Sequence, residues 1–147
     1  MTRLSRLPDA VREAVAAMVD KKALDIVLLD LREAGAFTDF FVVGSGRTTR
    51  QVQAIADAVN ERLRAIGARP NHVEGYDHAE WVLIDGFDLL VHIFTVETRN
   101  VYGLERLWGN AGRIAVPETG LDSAAVEESS ALGEPSTVDD DSVAGGG

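Results

Sequence analysis

The sequence predicts a mixed α/β domain: a β-sheet of about five strands with helices packed on it, in the order α-β-β-α-β-β-β-α. Short apolar runs bounded by Gly and Asp alternate with stretches of helical period, which is the pattern of a layered α/β domain. Two hairpin-like strand pairs argue for a mixed sheet rather than an all-parallel one. Hydrophobic residues make up 46% of the 147, enough to build a real core in one domain.

Pro8 and Asp9 suit a helix start, and Val11, Val15, Met18 and Val19 then recur at helical spacing. Asp25 leads into Ile26-Val27-Leu28-Leu29, a run that suits a buried strand. Arg32 to Ala36 reads as a turn, and Phe40-Phe41-Val42-Val43 as a second strand stopped by Gly44-Ser45-Gly46. Thr48 and Gln51 stand at capping-box spacing. Val52, Ile55, Ala56, Val59, Leu63 and Ile66 make the apolar stripe of a long helix that Gly67 ends. Residues 70–74 form a third, short strand. Trp81-Val82-Leu83-Ile84 and Leu89 to Phe94 follow as strands joined at Asp85-Gly86, a hairpin turn signal. Both runs are apolar on successive residues, as strands covered on two faces are. A short last helix turns Val101, Leu104, Leu107 and Trp108 inward, with Gly109 after it.

Residues 1–116 form the domain and residues 117–147 an acidic tail. The tail has eight acidic side chains, no Lys or Arg and no aromatic residue, and ends in three glycines. It cannot bury enough surface to offset its ordering entropy, so it is expected to be disordered. The net charge is −10, and the domain, with 16 acidic and 14 basic residues, holds little of it. A domain so near neutral does not suit phosphate-backbone binding, so no direct nucleic-acid readout is expected; a basic protein is the better contact. The absence of cysteine removes disulfides and thiolate chemistry. The start, MTRLSRLPDAVREA, has no signal-peptide apolar run, and no stretch reaches the roughly 20 apolar residues of a membrane span. A cytoplasmic location is the expectation.

Catalytic constellations are weak. Gly44-Ser45-Gly46 precedes a helix and could hold an anion, but the phosphate-loop and dinucleotide fingerprints are absent, and such a turn needs small residues anyway. A Gly-Ser turn on this kind of sheet is also similar to that of nucleotidyltransferases, which need a close carboxylate pair to hold Mg²⁺. Here the next helix offers a lone Asp57, while Asp85 and Asp88 flank a hairpin turn where Asp is an ordinary residue. His72, Glu74 and His78 match no standard zinc spacing. His92, inside an apolar strand, is expected to be buried and hydrogen-bonded. No serine can be assigned to a triad, so no catalytic residue, metal or cofactor is expected. The stretch 74–108 concentrates both tryptophans, both tyrosines and the acids Asp77, Glu80, Asp85, Asp88, Glu97 and Glu105. Large amphipathic rings beside charges are used as interface anchors, and equally as core; both readings of Trp81 and Trp108 stay open.

These residues, in order, resemble the ribosomal silencing factor family (RsfS, also Iojap or YbeB-like). The resemblance lies in Asp25-Ile26, Thr38-Asp39-Phe40-Phe41-Val42-Val43, Gly46, and Arg50 to Asp57. It continues in Glu74-Gly75, Trp81 to Asp85, Val91-His92-Ile93-Phe94, Arg99, Tyr102, Leu104-Glu105 and Leu107-Trp108. Gly86-Phe87-Asp88 departs from the family's usual aromatic-Gly-Asp order, and Val101 stands where an aromatic is usual. The resemblance implies a nucleotidyltransferase-like fold without the catalytic carboxylates, and a homodimer when free. It implies binding to the large ribosomal subunit through ribosomal protein L-fourteen, which blocks joining of the small subunit and represses translation under nutrient limitation. Trp81 sits at the position the family uses for the ribosomal contact; Asp85, Asp88 and Tyr102 occupy neighbouring positions. The expected function is therefore a translational repressor, not an enzyme. The alternatives are a nucleotidyltransferase-like enzyme and a dimeric binding module unrelated to the ribosome.

Overall fold

The computed structural model describes residues 7–33, 38–86, 88–103, 112–117 and 120. Helix α1 (Asp9–Asp20) begins after Pro8, whose φ of −62° and ψ of 154° set an extended entry. Val11, Ala14, Val15, Ala17 and Met18 are its buried stripe. Strands β1 (Leu24–Asp30) and β2 (Phe40–Gly46) follow and pair antiparallel. In α2 (Thr49–Ala65) the expected cap is present: Thr48 Oγ1 accepts from the Gln51 amide at 3.1 Å. The Gln51 side chain returns one residue further out than a standard capping box, accepting from the Arg47 amide at 2.7 Å. Val52, Ile55, Ala56, Val59 and Leu63 are buried as expected. Ile66 lies past the last turn and is 43% exposed, so the stripe stops one turn early.

The remaining elements are β3 (His72–Glu74), β4 (Trp81–Gly86), β5 (Leu89–Thr95), α3 (Val96–Tyr102) and β6 (Arg113–Ala115). The sheet runs β3-β4-β5-β2-β1-β6, and only the β2–β5 pair is parallel. The mixed α/β sheet is as expected, with a sixth strand added. Strand β6 has one buried apolar residue, Ile114, and no period of its own. It exists because the free edge of β1 offers hydrogen-bonding partners.

Helices α1 and α2 cover one face of the sheet, over Ile26, Leu28, Phe40, Val42, Val82, Ile84, Val91 and Ile93. Arg62 ties the two helices through Asp20 at 2.7 Å and Glu13 at 3.3 Å. Gly44-Ser45-Gly46 does not stop β2 but continues it, paired with Ile93, Phe94 and Thr95. A Cβ on Gly44 would run into the end of Met18, so the glycine lets α1 lie close to the strand.

The opposite face carries a smaller cluster of Val27, Leu29, Leu31, Phe41 and Leu90. Strands β2 and β5 are buried along their whole length, which for β5 is the two-sided cover expected. Strand β4 departs from that expectation: Val82 and Ile84 are buried, while Trp81, Leu83 and Asp85 on the other face are only partly so. The hairpin turn also sits later than Asp85-Gly86. Gly86 pairs with Leu89, so the connection is residues 87–88, because that register turns Ile84 and Val91 together toward the helices.

The last helix differs most. It starts directly at the end of β5 and stops at Tyr102, where Gly103 takes a left-handed φ of 55°. In that frame Arg99 faces the sheet and Val101, expected inward, is 80% exposed. Leu104, Leu107 and Trp108 lie outside the described residues, as does most of the acidic tail (121–147). Among the described residues, no helix is long and apolar enough to cross a membrane.

Candidate functional site

The β4–β5 register builds an aromatic cluster on the sheet face turned away from α1 and α2. Trp81 pairs with Phe94 and Leu83 with His92, so these four side chains share that face. Trp81 stacks on Phe94 with ring centroids 5.0 Å apart. Its Nε1–H donates to His92 Nδ1 at 3.1 Å, a diagonal cross-strand contact. Phe41 of β2 closes the far side of His92 at 4.8 Å.

Helix α3 brings the second aromatic. Thr95 ends β5 and caps α3, its Oγ1 accepting from the Thr98 amide at 3.3 Å. The Thr95 amide is held in turn by the Glu80 carbonyl at 3.0 Å, which ties the start of β4 to the start of the helix. About two turns on from the cap, Tyr102 meets the Trp81 ring at 4.8 Å. The helix is seated by Arg99, only 8% exposed, whose Nη1 donates to Ser45 Oγ at 3.0 Å and to the Leu24 carbonyl at 3.4 Å. Ser45 thus serves as the receptor for α3 within β2.

The strand start needs one special residue. Gly75 has a φ of 80°, and a Cβ there would overlap the Trp81 carbonyl oxygen. Only glycine lets the preceding segment pass this close behind Trp81.

Of the four residues singled out from the sequence, Trp81 and Tyr102 are in contact and both reach solvent; Tyr102 is 59% exposed. Asp85 and Asp88 lie at the other end of the hairpin. Asp85 stands four positions along the strand from Trp81, about 13 Å at the usual rise. Asp88 is exposed at the turn, and its carbonyl accepts from the Asp39 and Phe40 amides at 3.1 and 3.0 Å. Asp77, Glu80 and Glu97, in the same stretch of chain as the aromatic pair, are exposed. Trp108 and Glu105 lie outside the described residues.

His92 is buried and hydrogen-bonded as expected, with 4% exposure. Burial lowers its pKa to about 4, so the ring is neutral at physiological pH. Because an indole N–H can only donate, Nδ1 is the acceptor and the ring proton sits on Nε2. Asp57 accepts from the Tyr76 hydroxyl at 3.1 Å, and that bond raises the phenol pKa. His72 Nε2 and Glu74 Oε2 are 2.8 Å apart on exposed β3. Phe94 and Arg99 escaped attention as site residues: the first depends on the exact hairpin register, the second on a contact between residues 54 apart.

The chain is similar to proteins of known name. The profile of a family described as ribosomal silencing factor during starvation matches residues 5–142. A ribosomal silencing factor of Bacillus subtilis is 41% identical over 98 residues, covering 67% of this chain and 83% of that protein. A Mus musculus protein named for mitochondrial assembly of the ribosomal large subunit is 30% identical, covering 64% of this chain and 42% of its own. A crystal structure of a Chromobacterium violaceum protein superposes with a TM-score of 0.67 at 34% identity, over 69% of this chain and 84% of that one.

Proposed function

The chain belongs to the ribosomal silencing factor family, and from that premise we propose that it acts by occupying a face of the large ribosomal subunit, without catalysis. The observation that carries the reading is the Trp81–Tyr102 pair. Two large amphipathic rings in contact at 4.8 Å reach solvent, in a stretch of chain that also exposes Asp77, Glu80 and Glu97. Such rings supply anchoring area at low entropic cost, and the acids suit a basic partner. The large subunit as partner is supported by the family's description and by the name of the mouse relative.

The finer reading is that the protein meets ribosomal protein L-fourteen and thereby excludes the small subunit. Two bodies cannot occupy one site, so binding free energy becomes inhibition with no bond made or broken. Trp81 is the desolvated anchor and Tyr102 its neighbour; Asp85 and Asp88, at the far end of the hairpin, meet basic groups and favour fast, salt-sensitive encounter. The free protein is a homodimer in the cytoplasm, and translation is repressed when nutrients are short.

A sucrose gradient of tagged protein tests this. Wild-type protein is expected to travel with large subunits and to reduce subunit joining. Trp81→Ala should lose about 2 kcal/mol of binding, roughly thirty-fold in affinity, with its far-UV spectrum unchanged. Co-sedimentation of that variant at wild-type affinity would remove Trp81 from the interface. Nucleotide turnover abolished by changing Asp57 or Asp85 would favour an enzyme instead.

A further inference from the structure

His92 occupies the centre of the sheet, on β5 between β2 and β4, yet it is polar where its strand neighbours are apolar. Its Nε2 is buried and meets no hydrogen-bond partner among the described residues, so the ring carries an unsatisfied donor into the interior. A buried donor left so costs the fold, and a phenyl ring of the same shape would avoid that cost. The imidazole supplies one thing a phenyl ring cannot: a lone pair at Nδ1, 3.1 Å from the indole Nε1 of Trp81.

That contact completes the restraint of the indole. Phe94 stacks beneath it at 5.0 Å and Tyr102 closes on it at 4.8 Å, but flat ring contacts allow sliding and rotation. A directional hydrogen bond does not. We propose that His92 is the positioning residue for Trp81, its Nδ1 holding the indole N–H so that the ring meets the partner in one orientation. The role rests on the reading of Trp81 as the ribosomal anchor and deepens it. The preformed ring loses less side-chain freedom on docking, and the indole N–H is satisfied before the partner arrives. The partner therefore meets the apolar part of the indole and needs no acceptor for its N–H.

Two variants separate positioning from bulk. His92→Phe keeps the ring and removes the acceptor; His92→Asn loses the ring but sets an amide oxygen where Nδ1 stands. The Trp81 indole proton is followed by ¹H–¹⁵N NMR in hydrogen-exchange mode, its resonance assigned by comparison with Trp81→Phe. Binding to purified large subunits is followed by co-sedimentation, and folding by thermal denaturation.

His92→Phe is expected to stay folded, to exchange the indole proton markedly faster and to bind on the order of tenfold more weakly. His92→Asn should recover slow exchange and part of the affinity. Unchanged indole exchange in His92→Phe overturns the positioning role by itself, whatever happens at the ribosome. So does wild-type affinity in a His92→Phe protein whose exchange is fast. Wild-type protein that fails to travel with large subunits overturns the ribosomal reading, and the docking role with it. If His92→Phe does not fold, His92→Asn decides: slow exchange at near wild-type affinity supports the role, and fast exchange at wild-type affinity overturns it.

Discussion

At Trp81, exposure and restraint coincide: one part of the side chain reaches solvent while the rest is fixed by Phe94, Tyr102 and His92. His92 itself leaves a pH signature. Its pKa falls from 6.5 to about 4 on folding, because burial disfavours the charged ring. Between those values the unfolded chain takes up a proton at this site and the folded chain does not. Its effect is therefore nil above pH 6.5, and stability falls as acid is added through the window and levels off below about 4. The full loss is roughly 3 kcal/mol. Measured by urea unfolding at pH 7 and pH 4, His92→Phe should gain on wild type by about that amount at the lower pH. An unfolding difference that stays constant with pH would show that His92 is not the group responsible.

Among the elements, α3 matters most to the site, and it is too short to stand alone. Seven residues gain their place from the Thr95 cap and from Arg99 reaching across to β1 and β2. Arg99→Ala would leave the buried Ser45 hydroxyl without its donor. It should lower stability by about 2 kcal/mol and free Tyr102 from Trp81, weakening large-subunit binding as well. Thermal denaturation and co-sedimentation check the two effects, and a variant as stable as wild type would deny Arg99 its anchoring part. The hairpin shows how far local signals reach. Asp85-Gly86 predicts the correct two strands and, because moving a two-residue turn shifts each partner by an even number of residues, the correct faces. It would pair Trp81 with Leu90; the true register pairs it with Phe94, and the aromatic stack follows from that difference alone.

Along the whole chain, most of the net charge belongs to residues 117–147. Deleting residues 117–147 removes eight acids and moves the net charge from −10 to −2. The core of the described residues lies in the sheet and its helices, so the deletion should leave the melting temperature within a few degrees of wild type. A large drop would mean that the tail is part of the fold. The truncated protein should also approach basic partners more slowly at low salt, since long-range attraction scales with net charge.

Helices α1 and α2, the buried strand β5 and the mixed character of the sheet were legible in the chain, because each rests on periodicity, capping or an ordered set of local motifs. Strand β6, the solvent-facing Val101, the Arg99–Ser45 contact and the bond from Trp81 to His92 were not. Each depends on which segment lies beside which. Local pattern sets how a segment folds; only packing sets its neighbour, and a hydrogen bond or ring contact belongs to the pair rather than to either member.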